Sequence, residues 1–109
     1  MLQTMKILFD QGTPAPLRHE LAGHTVRTTY EMGWADKSNG ELLALAELDF
    51  ELLITTDKNL KYQQNLKGRS LAILVLPTTR WPVLRGRAAE VLAAVNSITP
   101  GEYRELELP

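Results

Sequence analysis

Two acids stand at the ends of apolar runs: Asp10 after Ile7-Leu8-Phe9 and Asp57 after Leu53-Ile54-Thr55-Thr56. If the two runs are neighbouring strands, the carboxylates converge at one edge of a sheet. A pair of carboxylates suits Mg²⁺ or Mn²⁺, hard cations that keep several waters and bind through one or two carboxylates plus substrate phosphates. Such ions generate a hydroxide nucleophile and stabilise charge on a phosphodiester. Glu41, at the start of a helical segment, is a third acid within reach of that edge. Each acid also has a local role open to it. Asp57 can cap a helix, Glu41 can be the return half of a capping box, and Asp10 can close an Asx-turn.

Charge is distributed unevenly. Residues 58 to 87 hold seven basic side chains and no acid, whereas the remainder holds five basic and 13 acidic ones. Within one small domain this asymmetry can build a basic face for phosphates, with Lys58, Lys61 and Arg80 as nucleic-acid contacts, or it can be a set of solvated positions. The net charge of −1 favours neither.

The elements that would position these residues read as an alternation. Met5 to Phe9, Leu52 to Thr55 and Leu71 to Leu76 are near-continuous apolar runs, the pattern of parallel strands covered on both faces. Thr25 to Thr29 is a weaker strand, and Tyr103 to Leu108 alternates like a half-exposed edge strand. Thr13-Pro14 predicts an N-cap and a short helix through about Leu21, ended by Gly23. Ser38-Asn39-Gly40-Glu41 is a capping box before Leu42, Leu45, Ala46 and Asp49. Asp57 predicts the cap of a helix over Lys58 to Leu66 stopped by Gly68, and Thr79 the cap of one helix from Arg80 to about Asn96. Pro100-Gly101 is a turn. The order β-α-β-α-β-α-β-α-β implies a doubly wound α/β fold, a mostly parallel sheet of four to five strands with helices on both faces. In such sheets ligands bind outside the carboxyl ends of the strands.

Composition closes off other chemistries. With 109 residues the chain makes one domain. Its lack of cysteine excludes disulfides, zinc–thiolate sites and cysteine nucleophiles. The longest apolar run, Leu71 to Pro77, is far below the roughly 20 residues of a membrane span. The start of the chain shows no secretory pattern, so the expected compartment is the cytoplasm. No Gly-x-Gly-x-x-Gly or Walker loop is present, and Ser38, Ser70 and Ser97 lie in no nucleophile elbow. His19 and His24 flank a helix end, where loop or surface roles are expected. Trp34 and Trp81 are either packed or base-stacking.

Four segments stand out together: Lys6-Ile7-Leu8-Phe9-Asp10-Gln11-Gly12-Thr13-Pro14, Gly23-His24-Thr25-Val26, Ser38-Asn39-Gly40-Glu41-Leu42-Leu43-Ala44-Leu45-Ala46 and Leu53-Ile54-Thr55-Thr56-Asp57-Lys58-Asn59-Leu60. In their order and spacing they resemble a small bacterial PIN-like family of unknown function. The resemblance spans about residues 5 to 80. It implies a Rossmann-like PIN fold and kinship with Mg²⁺-dependent ribonucleases, many of them toxins of toxin–antitoxin pairs. Asp10 and Asp57 fall on the family's strand-end acids. The family commonly shows Asp-Glu-Asn, Ser-Asp-Glu-Glu and Asp-Lys-Asp-Phe where this chain has Asp10-Gln11-Gly12, Ser38-Asn39-Gly40-Glu41 and Asp57-Lys58-Asn59-Leu60. Amides thus stand where carboxylates are common. Asn39 and Asn59 can still ligate through their carbonyl oxygens but add no charge, so cation affinity is expected to be lower.

Three functions follow as expectations. The first is a Mg²⁺- or Mn²⁺-dependent ribonuclease, with Asp10 and Asp57 holding metal, Glu41 assisting, and RNA and an antitoxin protein as partners. The second is a weakened PIN-like module that binds nucleic acid or a protein without cutting. The third is a homodimer formed through the edge strand Tyr103 to Leu108.

Overall fold

The computed structural model describes residues 4–63 and 68–107. Its strands are β1 (Lys6–Phe9), β2 (Thr25–Thr28), β3 (Leu52–Thr55), β4 (Ala72–Val75) and β5 (Tyr103–Glu105). They form a parallel sheet in the order β2-β1-β3-β4-β5. β1, β3 and β4 lie inside the sheet, and apart from Lys6 all their residues are buried. That is why their sequences are apolar at successive positions rather than alternating. The edge strands β2 and β5 are half-exposed, and their sequences are accordingly mixed.

Side chains alternate between two cores. Ile7, Phe9, Leu52, Ile54, Ala72 and Leu74 face one side, packing with Leu17, Leu84, Val91 and Val95. These come from a 3₁₀ segment (Ala15–Glu20) and the helices α3 (Trp81–Arg85) and α4 (Ala88–Ser97). Leu8, Leu53, Ile73 and Val75 face the other, packing with Leu42, Leu43, Ala46 and Leu60 of α1 (Asn39–Asp49) and α2 (Leu60–Gln63). Each fully buried aliphatic side chain is worth about 1.5–3 kcal/mol of transfer free energy, so the two cores hold the three layers together. The architecture is a three-layer α/β fold, as the alternation implies. Among the described residues no helix is long and apolar enough to cross a membrane.

Several local expectations need correction. Thr13 does not cap the first helix. That segment is 3₁₀, its cap position is Pro14, and the Thr13 hydroxyl donates instead to the carbonyl of Ile54 at 2.9 Å. Asp57 makes the bonds of a capping residue, its Oδ1 accepting the N–H of Asn59 and its carbonyl the N–H of Leu60, but the regular helix begins only at Leu60 rather than at Lys58. The rest of the expected helix, 64 to 66, lies outside the described residues. The single helix predicted from Arg80 is two, broken where Gly86 ends α3 and Arg87 leaves the helical region at φ −124° and ψ 21°. Glycine costs about 1 kcal/mol in a helix interior, which favours the break there. β5 ends at Glu105, short of the expected Leu108, itself outside the described residues.

The capping box is present as predicted. Ser38 Oγ accepts the backbone N–H of Glu41, while Glu41 accepts the backbone N–H of Ser38. It fixes where α1 begins, and with it the position of Asn39.

Candidate functional site

In a doubly wound sheet the chain reverses its direction of winding at one pair of strands, and a crevice opens outside their carboxyl ends. Here that pair is β1 and β3, since the chain runs outward to β2 and then returns across β1 to β3. Parallel pairing sets Phe9 opposite Ile54, and the N–H of Asp10 extends the ladder to the Ile54 carbonyl at 3.0 Å. Asp10 and the β3–α2 loop carrying Asp57 are therefore brought together by backbone register.

A threonine joins the two acids. Thr55, the last residue of β3, is fully buried. Its hydroxyl donates to Asp10 Oδ2 at 2.6 Å and accepts the backbone N–H of Asp57 at 3.1 Å. Asp10 Oδ1 accepts the N–H of Gln11 at 2.6 Å. Asp57 Oδ1 accepts the N–H of Asn59 at 2.9 Å, and Asp57 Oδ2 the Nδ2 of Asn39 at 3.4 Å. Every one of these donors is neutral. Among the described residues neither carboxylate forms an ion pair. Both acids thus stand at the carboxyl edge between β1 and β3, tied through Thr55 from the Asp10 carboxylate to the Asp57 backbone.

The other predicted residues are placed differently. Glu41 is not hydrogen-bonded to either acid; its carboxylate is held by the backbone and hydroxyl of Ser38, which lower its pKa. Asn39 does reach the pair, through Asp57. Asn59 meets Asp57 through its backbone amide. Lys58 is exposed beside Asp57, and Arg80 is exposed at the start of α3, in the loop that follows β4. Lys61 lies 3.2 Å from Glu105 and over the ring of Tyr103, so its charge is already engaged at the β5 edge. Trp34 packs edge-on against Phe50 and Trp81 against the α3–α4 core, so both are structural. His24 links Met5 to Asn96 and stands away from this edge.

Sequence reasoning missed the threonines. Among the described residues the buried polar side chains are Thr13, Thr29 and Thr55, and all three stand at the carboxyl ends of strands or in the loops just beyond them. For Thr55, a threonine closing a run of Leu and Ile two residues before an acid was the available signal. Gly12 was missed as well: a Cβ there would lie 2.3 Å from Thr56 Oγ1, so a side chain at this position would force the Thr56 hydroxyl to turn away.

As for a metal, the donors at the corner are all oxygens or amides, with two carboxylates. That set fits Mg²⁺, which needs few protein ligands when substrate phosphate and water complete its shell. Among the described residues no cluster of three or more acids or histidines is gathered for a cation. Asp10 and Asp57 would carry the charge, with the Asn39 amide oxygen as a neutral supplement.

Beside the acids lies a cleft of about 600 Å³, bounded by Asp10 to Ala15, Thr28 to Tyr30 and Thr79. It opens on the β1–β2 side of the same carboxyl edge, and Asp10 is common to both features. Comparison of the chain with protein-family models, with curated proteins and with solved structures finds no match in any of the three.

Proposed function

We propose that this protein is a Mg²⁺-dependent ribonuclease of PIN-like type, acting in the cytoplasm as the toxin of a toxin–antitoxin pair. One observation carries the reading: Asp10 and Asp57, far apart in sequence, both stand at the switch point of a parallel sheet, where the Thr55 hydroxyl donates to the Asp10 carboxylate and accepts the Asp57 backbone N–H. When bound, Mg²⁺ supplies an activated water and stabilises charge on the phosphodiester. The chain's own residues do the rest. Asp10 and Asp57 hold the ion, and Thr55 fixes their separation. Lys58 and Arg80 hold RNA phosphates on the flank beyond β3 and β4. Glu41 serves the helix start, which positions Asn39.

The test is cleavage of single-stranded RNA by purified protein. Activity is expected with Mg²⁺ and not with EDTA, and Asp10→Asn should lower it about 100-fold or more, at least the loss typical of disturbing a metal's outer contacts. Cleavage that survives Asp10→Asn would overturn the reading.

A second reading, binding without cleavage, draws support from Gln11, Asn39 and Asn59, which leave the corner with two acids. It predicts RNA binding that falls with salt and weakens in Lys58→Ala and Arg80→Ala, with Asp10→Asn neutral. Self-association through β5 remains the third proposal, checked by light scattering.

A further inference from the structure

The cleft beside Asp10 differs in chemistry from the flank that carries Lys58 and Arg80. Its lining has one charged side chain, Asp10, and is otherwise amide, hydroxyl and apolar: Gln11, Thr28, Thr79, Pro14 and Tyr30. A phosphate would find no cation there. Its volume of about 600 Å³ lies within the range of small-molecule sites, roughly 300–1,000 Å³.

Tyr30 is its most conspicuous feature. The side chain is 83% exposed, the most exposed large hydrophobic residue among those described. A single exposed aromatic is ordinary by itself. What sets this one apart is the backbone that presents it. The N–H groups of Met32, Gly33 and Trp34 donate to the carbonyls of Thr28, Tyr30 and Thr29, closing a tight turn in which Gly33 takes φ +75°. Glu31 accepts the N–H of Thr28, returns its own N–H to the Thr28 hydroxyl, and is ion-paired to Arg18 of the 3₁₀ segment. The turn is thus tied both to itself and to the next element. An aromatic ring carried on fixed backbone at the rim of a cleft whose one charge is Asp10 needs no backbone ordering to bind another flat ring.

We propose that this cleft is a nucleobase subsite, in which the ring of Tyr30 stacks on an unpaired base of a single-stranded RNA whose backbone passes Asp10. This rests on the nuclease reading for the identity of the substrate. It adds that recognition on the β1–β2 side is by base and on the β3–β4 side by phosphate. The ligand class is therefore single-stranded, because a base inside a duplex has no free face to offer. Stacking of this kind is tolerant of sequence.

The experiment is fluorescence anisotropy in EDTA with an end-labelled single-stranded RNA octamer and the equivalent strand lacking bases. Wild type is expected to bind the base-bearing strand about 5- to 150-fold more tightly than the abasic one, the range for one stacked base. Tyr30→Ala should remove that preference, and Tyr30→Phe should keep it. Because Tyr30 is exposed, both variants should fold, which circular dichroism checks. A Tyr30→Ala protein that retains the full preference overturns the subsite while leaving Mg²⁺-dependent cleavage untouched. A preference that depends on Tyr30 in a protein that cleaves nothing upholds the subsite and overturns the nuclease. Failure to bind either strand overturns the subsite as well.

Discussion

Two pairs of acids, one at each end of the sheet, use the same chemical group in different ways. At the amino end, Glu47 accepts the N–H of Ser70 ahead of β4 and pairs with Arg69. Glu102 accepts the N–H of Thr99 and pairs with Arg104 beside β5. Both carboxyls are held below their usual range, Glu47 chiefly by the Ser70 backbone and Glu102 chiefly by the Arg104 guanidinium. These acids are clasps that close loops and have their charge matched. At the carboxyl end, Asp10 and Asp57 also accept local amides, but their charge is matched by nothing among the described residues. Hydrogen bonding to local amides is therefore common to both sets of acids, and the ion pair is what separates Glu47 and Glu102 from Asp10 and Asp57.

The contrast can be broken most decisively at Asp57. Asp57→Asn should lower Mg²⁺-dependent cleavage about 100-fold or more, while leaving the urea midpoint close to wild type. Loss of stability with retained cleavage would make Asp57 a clasp like Glu47. A smaller effect is expected from Thr55→Val. This substitution keeps the shape but strips the Asp57 N–H of its acceptor and Asp10 of its donor, at a cost of about 1–3 kcal/mol in urea unfolding. Cleavage should fall along with it, since the two acids are no longer tied. Ser38→Ala removes the cap of α1 and should cost about 1 kcal/mol. If Glu41 serves only the helix start, cleavage of RNA at saturating Mg²⁺ stays within a few-fold of wild type. A loss as large as that of Asp57→Asn would return Glu41 to the catalytic group.

The smallest effect concerns the turn that presents Tyr30. The Glu31 carboxyl is lowered from 4.5 to about 2, first by its hydrogen bond from Arg18 and then by the Thr28 amide. A group whose folded pKa is depressed stabilises the fold above its unfolded pKa and loses that contribution as pH falls through the folded value. The Arg18–Glu31 pair should therefore stabilise fully above about pH 4.5 and fade between there and pH 2. Thermal melts of wild type should fall more steeply with acid across that window than melts of Glu31→Gln. Parallel curves would show that the pair does not hold the turn.

Much of the plan was legible in the chain. The three interior strands announce themselves as apolar runs because both of their faces are covered. The capping box marks the start of α1 because its two reciprocal hydrogen bonds need residues three apart and nothing else. Local signals failed where a side chain had a better partner elsewhere. Thr13 had the type and place of a cap, yet its hydroxyl went to the Ile54 carbonyl on a strand it adjoins only in the fold.

What the sequence determined by itself was the five strands, the alternation of strand and helix, and the presence of an acid just past the end of two strands. The tertiary structure decided which strands are neighbours. A run that is apolar on every side carries no mark of its partner, so nothing within Ile7-Leu8-Phe9 or Leu52-Leu53-Ile54 dictates that they pair. That pairing follows from packing two helical layers onto one sheet. Only after it does Asp10 lie across from Thr55, whose hydroxyl ties its carboxylate to the Asp57 backbone, and does Gly12 come up against Thr56.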